Sequence, residues 1–462
     1  MCAGQLDGAA WAAHSENMAR FPLRLPQARG PALRSVARRG LTLAASAVLV
    51  AGCGSKGGQT GDEHTDSGDT IEQLTGSAQR LAASGDLPNS ASADGWSFGW
   101  KLYAEEADPT ANTFFSPYSI SVASSMLFAG AAGQTKIEMM TALDFSTDGE
   151  AFHQARNSVA LALDARNLSA TEDQNAQTLR VVNDLWLAPS FRPLPSFLDT
   201  LSAYYGASAF LAPFQTDPEA ARLAINDKVA RDTEGLIEDL LPQNSVNDAA
   251  MVLTNALYFK ARWAYEFTQA MTADAPFAAQ SGQSVQVPLM HAQLMTGQVV
   301  SDDYTAIAVP YDRNQLELVA IMPASGTFDA FVRSLDAATV TRIAGELTSA
   351  TVDLSFPKLT IEAEVPLKER LIALGMRSAF EEGSADFSAL TDASVVVSDA
   401  FHRATISIDE EGTVAAAATA IVVTPTSLPS EIIPIVLDHP FVFFIRDVET
   451  NALLFVGHYA NP

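Results

Sequence analysis

Residues 409–427 read Asp-Glu-Glu-Gly-Thr-Val-Ala-Ala-Ala-Ala-Thr-Ala-Ile-Val-Val-Thr-Pro-Thr-Ser, an acidic turn that runs into small residues and then into β-branched ones. Gly412 tolerates backbone angles that other residues avoid, so a strand arriving at Asp409 is interrupted there. Residues 413–423 contain no charge and no proline, and nothing in them forbids an extended backbone. At about 3.3 Å per residue, residues 413–426 reach roughly 45 Å, the length of a long central strand. On composition alone an Ala-rich run is more often a buried helix or a linker, so the rest of the chain decides.

That chain has 462 residues, 48% hydrophobic and 18% charged, a globular composition with ample length for a core. It carries 28 basic and 54 acidic side chains, a formal charge of −26. Such a surface repels phosphate backbones and anionic membranes, which argues against a nucleic-acid partner. Only Cys2 and Cys53 occur, too few for a disulfide framework.

Residues 1–52 read as a signal peptide of the lipoprotein type. Arg34, Arg38 and Arg39 precede an apolar run over residues 41–51, too short to span a bilayer but right for a signal segment. The run ends Val50-Ala51-Gly52-Cys53. Small residues followed by cysteine resemble the bacterial lipobox, in which the cysteine is acylated and becomes the first mature residue. Residues 53–93, rich in Gly, Ser, Thr and Asp, read as a flexible tether. The expected location is the bacterial cell envelope, lipid-anchored at a periplasmic or outer surface, with the anchor as the membrane contact.

The folded part is expected over residues 94–462. Trp96, Phe98, Trp100 and Leu102 open a helix, and Ser116 can cap a second with Pro117 in its first turn. Further helices are expected over residues 133–143, 152–165, 195–205 and 218–233, with a buried strand over 179–187. After residue 250 strands dominate, over 251–259, 299–310, 316–322 and the alternation Val352, Leu354, Phe356. One helix remains, with Leu367, Leu371 and Leu374 on a face, and a hairpin of 441–445 and 453–459 ends the chain. Helices first and strands later describe an α+β domain.

Enzyme chemistry has no foothold in this sequence. There is no Gly-rich phosphate loop, no His-Glu-x-x-His motif and no cysteine pair at metal spacing. No catalytic residue, metal or cofactor is therefore expected. Gly206-Ala207-Ser208-Ala209-Phe210 lacks the closing glycine of a nucleophile elbow and reads as a helix terminus.

Asn112-Thr113-Phe114-Phe115-Ser116-Pro117-Tyr118-Ser119 resembles the start of the second helix in the serpin family. Five further blocks match in the family's order. They are Asn183-Asp184-Leu185-Trp186, Thr254-Asn255-Ala256-Leu257-Tyr258-Phe259-Lys260-Ala261-Arg262-Trp263, residues 367–375 with Ala385-Asp386-Phe387-Ser388, residues 402–419, and His439-Pro440-Phe441 through Asn461-Pro462. The resemblance implies a single domain of eight or nine helices around three β-sheets, monomeric, with an exposed reactive-centre loop. Inhibitory members let a serine protease cleave that loop. Its N-terminal part then inserts into the large sheet as a strand and carries the acyl-bound enzyme away.

The opening stretch falls on this loop. The resemblance makes Glu410, Glu411, Gly412, Thr413, Ala415, Ala416, Ala417 and Ala418 the hinge. Thr413, Ala415, Ala417 and Thr419 then alternate to one face of an inserting strand. A buried charge or a proline there would cost on the order of several kcal/mol. Counting from the hinge glycine puts the reactive bond between Thr426 and Ser427, with cleavage after Val423, Thr424 or Leu428 as alternatives. Threonine suits the small pockets of elastase-like or subtilisin-like serine proteases, and cleavage after Leu428 would suit chymotrypsin-like ones. Ser116, Ser119, Asn183 and His402 match the family's polar shutter beneath the large sheet. Trp263 matches the tryptophan of the breach, where insertion begins. The alternative is a non-inhibitory serpin that acts as a binding or structural protein at the envelope.

Overall fold

Two hydrogen-bonded sheets organise the residues that the computed structural model describes, namely 71–84, 89–169, 177–413 and 432–462. The first half contributes β1 (Glu72–Leu74), α1 (Asn89–Glu106), β2 (Thr113–Phe115), α2 (Pro117–Phe128), α3 (Gly133–Ala142) and α4 (Gly149–Asp164). It continues with β3 (Thr178–Leu187), α5 (Pro195–Thr200), β4 (Ala209–Leu211) and α6 (Pro218–Asp232). The second half contributes β5 (Met251–Arg262), β6 (Ala273–Ala278), β7 (Ser284–Val300), β8 (Tyr304–Pro310) and β9 (Leu316–Pro323). After α7 (Phe328–Ser334) and α8 (Ala337–Gly345) come β10 (Thr348–Pro357), β11 (Leu359–Val365), α9 (Leu367–Ala373) and β12 (Asp399–Ile408). The chain closes with β13 (Gly412–Thr413), β14 (Ile432–Val436), β15 (Phe441–Asp447) and β16 (Leu453–Tyr459).

One sheet has the order β1-β4-β3-β5-β13-β12-β11, and the other β14-β10-β7-β8-β9-β15-β16-β2 with β6 on β7. Among the described residues the sheets of this α+β fold are linked into two continuous ladders. The reason is β7: it pairs with β6 at its start, β10 along its middle and β8 at its end, fusing two surfaces into one ladder. Residues 299–310 are not one strand. Ser301 closes a turn between β7 and β8, its backbone N–H donating to Tyr304 O at 3.0 Å and its Oγ accepting from Tyr304 N at 3.2 Å. The turn reads Ser-Asp-Asp, residues whose short side chains hold such bends.

Local chemistry explains the helices around the sheets. Ser116 caps α2 by accepting from Ser119 N at 3.1 Å, with Pro117 in the first turn. The α-helix over residues 195–200 continues as one π turn, Leu201–Tyr205, which Gly206 ends in the left-handed region at φ +60°. In α1, Trp96 and Trp100 meet Phe444 of β15 edge-on, at 5.2 and 6.3 Å. Outside the β3–β5 region, α6 and the following segment bury Val182, Trp186, Val252 and Ala256 against Ile225, Val229, Leu240 and Leu241. Burial of each large side chain contributes about 1.5–3 kcal/mol.

The ordered fold begins earlier than expected, because part of the span read as a tether is structured. Strand β1 pairs antiparallel with β4 at the sheet's edge. Beyond it, Asp199 Oδ1 accepts from Ser77 N, Ser77 Oγ and Ala78 N at 2.7, 3.0 and 3.1 Å. Gly76 packs so tightly that a Cβ would lie 2.4 Å from Leu198 O. Arg80 then reaches Asn157 and Asp164 of α4, and Leu81 N donates to Ala203 O at 2.8 Å. Residues 71–84 therefore strap β4, the π turn and α4 together. The sequence hid this because its bonds are polar and their partners lie far along the chain. Removal of residues 1–84 is expected to lower the thermal unfolding midpoint, and Asp199→Ala to lower it in part; an unchanged midpoint in the truncated chain would show that the strap bears no stability.

Candidate functional site: the seam between β5 and β12

The seven-stranded sheet contains a seam. Strands β5 and β12 pair directly only from Val252–Asp399 to Ala256–Arg403, in parallel. At the far end β13 lies between them, with Gly412 opposite Arg262, and Thr413 opposite both Ala261 and Ile408. The start of the hinge is therefore already seated in the sheet. Gly412 is required by proximity, since a Cβ there would lie 2.1 Å from Ala261 O.

The residues around this short strand hold it in place. Thr413 is 1% exposed, and its Oγ1 meets the Tyr311 hydroxyl at 2.8 Å. Tyr311 stacks on Trp263 at 4.4 Å, and burial pushes its phenol well above the usual range. Trp263 in turn binds the acidic turn twice, donating from Nε1 to Asp409 O and from its backbone to Glu411 O, both at 2.9 Å. Glu411 pairs with Arg262 at 2.9 Å. Glu410 accepts from Lys358 Nζ at 2.7 Å and Thr272 Oγ1 at 2.8 Å. Burial raises the Glu410 carboxyl, but the hydrogen bonds from Lys358, its own backbone and Thr272 outweigh it and leave it below its ordinary value.

Beneath the directly paired part lies a polar cluster. Ser116 N donates to His402 Nε2 at 3.1 Å, which leaves the proton on Nδ1 to be donated to Asn255 Oδ1. Asn255 Nδ2 donates to Ser119 Oγ at 2.6 Å and to Asn183 Oδ1. Ser116 Oγ donates onward to Leu454 O at 2.7 Å. The structure thus brings Ser116, Ser119, Asn183 and His402 together. His402 is fully buried, and desolvation lowers its imidazole to about 3. Neutral histidine fits the acceptor role, because a protonated ring could not accept from Ser116.

Of the site residues expected from sequence, Cys53, Ala415, Ala416, Ala417, Ala418, Thr426 and Ser427 lie outside the described residues. Two residues central to the site were not anticipated. Asn255 joins the two sides of the seam, and its signal was present: a polar side chain in the middle of a strand buried from Met251 to Phe259. Tyr311 had none, since it stands between the end of β8 at Pro310 and the polar run Asp312-Arg313-Asn314-Gln315, where a tyrosine carries no pattern of its own.

The sequence model of the serpin (serine protease inhibitor) family matches residues 95–462, and the chain belongs to that family, whose members are not enzymes and of which many, though not all, inhibit proteases. A serpin-like protein of Thermococcus kodakarensis is 34% identical over 369 residues, covering 79% of this chain and 84% of its own. Human serpin B8 is also 34% identical, over 79% of this chain and 96% of its own. Among solved structures, the native thermophilic serpin tengpin superposes with a TM-score of 0.73 at 26% identity, covering 83% of this chain and 97% of its own. Human thyroxine-binding globulin with thyroxine superposes at 0.70 with 29% identity, over 80% and 98%.

The cluster has a pH signature. Unfolded histidine binds a proton below about 6.5 whereas folded His402 does not until about 3. Its contribution is therefore complete above pH 6.5 and is lost as pH falls through that window, on the order of a few kcal/mol. His153, lowered by burial to about 4, acts in the same direction. The urea midpoint is expected to fall between pH 7 and pH 5, and His402→Gln to weaken that dependence; a midpoint unaffected by pH in the wild type would contradict a neutral buried His402.

Proposed function

We propose that this serpin is a suicide inhibitor of serine proteases, anchored to a bacterial envelope through acylated Cys53 and cleaved between Thr426 and Ser427. The observation that carries the reading is β13, two hinge residues already lodged in the seam in sheet register. Were the strand to continue in that register, Ala415 would come opposite Ile406, Ala417 opposite Ala404 and Thr419 opposite His402, all of which lie on the buried side of β12. Small side chains enter there with little steric cost. Ala418 is the first residue whose arrival displaces direct pairing, at Ala256 and Arg403.

Thr419 reaches the cluster next. Its arrival separates His402 from Asn255, and its hydroxyl can accept from one and donate to the other, so the broken link is replaced on both sides. Val414 faces outward in the same register. A match of 30% identity to the leukocyte elastase inhibitor of Xenopus tropicalis, over 79% of this chain and 97% of its own, supports a small-pocket target for Thr426. The likeness to thyroxine-binding globulin is what the alternative draws on, a serpin that binds without trapping a protease. The seated hinge favours the inhibitor.

Mixed with elastase, subtilisin and chymotrypsin, the protein is expected to form an SDS-stable complex with at least one, with a large gain in thermal stability after loop cleavage. Cleavage of the loop by all three without inhibition would overturn the reading. Ala417→Arg is expected to turn the inhibitor into a substrate, because an arginine opposite Ala404, which is fully buried, blocks the strand at its midpoint. Thr413→Arg has the same direction but also expels β13 from the uncleaved protein, since Thr413 is already buried. Cys53→Ser is expected to release the protein from the membrane fraction, and retention there would refute the anchor.

A further inference from the structure

On the outer face of the seven-stranded sheet, α6 and the segment that follows it to Leu241 lie as a cover over the strands. The cover is tied unevenly. On the side of β3 and β5 it has three hydrogen bonds: Lys228 Nζ donates to Asp184 Oδ2 at 2.8 Å, Arg180 Nη1 to Asp232 O at 3.3 Å, and Tyr258 Oη to Glu234 Oε2 at 3.1 Å. On the side of β12 a single hydrogen bond runs to it among the described residues, from Arg403 Nη1 to Asp239 O at 3.0 Å, beside the packing of Phe401 on the cover's apolar cluster. Arg403 Nη2 also lies 3.6 Å from Glu362 of β11, on its own side of the seam.

Arg403 stands at the fork of the seam. Direct pairing of β12 with β5 ends at Arg403 opposite Ala256, and beyond that pair β13 lies between the two strands. A widening that starts from the β13 end therefore parts this pair first. The neighbouring His402 makes the buried link to Asn255 on the inner face, so consecutive residues of β12 hold the fork on opposite faces of the sheet. A separation of one strand spacing, about 4.8 Å, carries Arg403 out of reach of Asp239, while the bonds from α6 to β3 and β5 need not stretch. Release costs Arg403 little, because its side chain is 31% exposed and can turn to water. The fully buried His402 has no such recourse.

We propose that Arg403 is an outer latch of the seam, a positioning residue that ties the cover to β12 in the uncleaved protein and lets go when the seam opens, so that α6 travels with β3 and β5. The proposal rests on the inhibitor reading, in which a strand enters between β5 and β12. It assigns the bond to one state of the molecule: present while the seam is shut, absent once a strand lies within it. Removing the bond weakens the shut form and leaves the filled form as it was. It also speeds opening, because one charge-assisted bond fewer has to break at the fork.

The test compares wild type, Arg403→Ala, Arg403→Lys and Tyr258→Phe, each uncleaved and after proteolytic cleavage of the loop. Thermal midpoints are measured at a fixed guanidinium concentration at which both forms melt. The rate of insertion is followed by tryptophan fluorescence with protease in excess, since Trp263 lies at the top of the seam. Arg403→Ala is expected to lower the uncleaved midpoint by roughly 2 °C or more, to leave the cleaved midpoint unchanged, and to raise the insertion rate roughly tenfold. Lysine, which can still donate to Asp239 O, stays near wild type. Tyr258→Phe removes a bond that does not cross the seam, so it lowers both midpoints alike and leaves the rate unchanged. For Arg403→Ala, equal losses in the two forms, no loss in either, or a wild-type insertion rate would overturn the latch, and the inhibitor reading stands as long as the wild type gains stability on cleavage. A wild type whose midpoint does not rise on cleavage would remove both.

Discussion

One buried bond, from His402 Nδ1 to Asn255 Oδ1, is the direct side-chain link across the seam on which the rest of the molecule turns. On one side Asn255 holds Asn183 of β3, so β3 and β5 are tied as a unit. On the other, His402 belongs to β12, which is paired with β11 from His402 to Ile408. The start of α2 lies beneath both, with Ser116 bound to His402 and Ser119 to Asn255. Parting the two halves by one strand spacing, about 4.8 Å, breaks the link while leaving each half internally intact. Buried polar groups are costly when left unpaired, so the seam stays shut until something arrives that can satisfy both partners.

The upper end of the seam works by different physics. There the two strands are held apart by β13, and the surrounding groups are aromatic and ionic. Trp263 and Tyr311 form a stacked wall, and the acidic turn is fastened by Arg262, Lys358 and Thr272. If a further strand inserts as proposed, an opened top and a latched middle divide its entry into an easy start and a guarded continuation. The outer cover of α6 against β3 and β5 adds a third restraint on parting the seam.

Most of this could be read in the sequence where chemistry is local. The cap at Ser116, the helix over residues 218–232 and the C-terminal hairpin each announce themselves through spacing and turn residues. The small-residue run was ambiguous by composition, which suits a buried helix or a linker as well, and only the order of the blocks around it gave it a role; of that run, Gly412 and Thr413 are described, in β13. What escaped depended on contacts distant in sequence. The strap over residues 71–84 has no hydrophobic period, and its partners at Asp199 and Asn157 lie more than seventy positions away. Most of β7, over residues 284–298, had no counterpart in the expected strands, because its exposed positions alternate with polar residues, and the short helices α7 and α8 were likewise not expected. Asn255 stood in plain view within a quoted block, but only the register with His402 gives it a role.

The strap has a geometric consequence for an anchored molecule. Had residues 53–93 all been slack, the domain could drift to about 140 Å from its lipid, at ~3.5 Å per residue. If Cys53 is acylated as proposed, the entry into the fold at Ile71 limits the span from the lipid to at most about 65 Å, near the diameter of the domain itself. On that proposal the inhibitor would guard a shell only about one molecule deep. Enzymes cutting at the membrane surface would fall within its range, and those working in the open medium would pass beyond it.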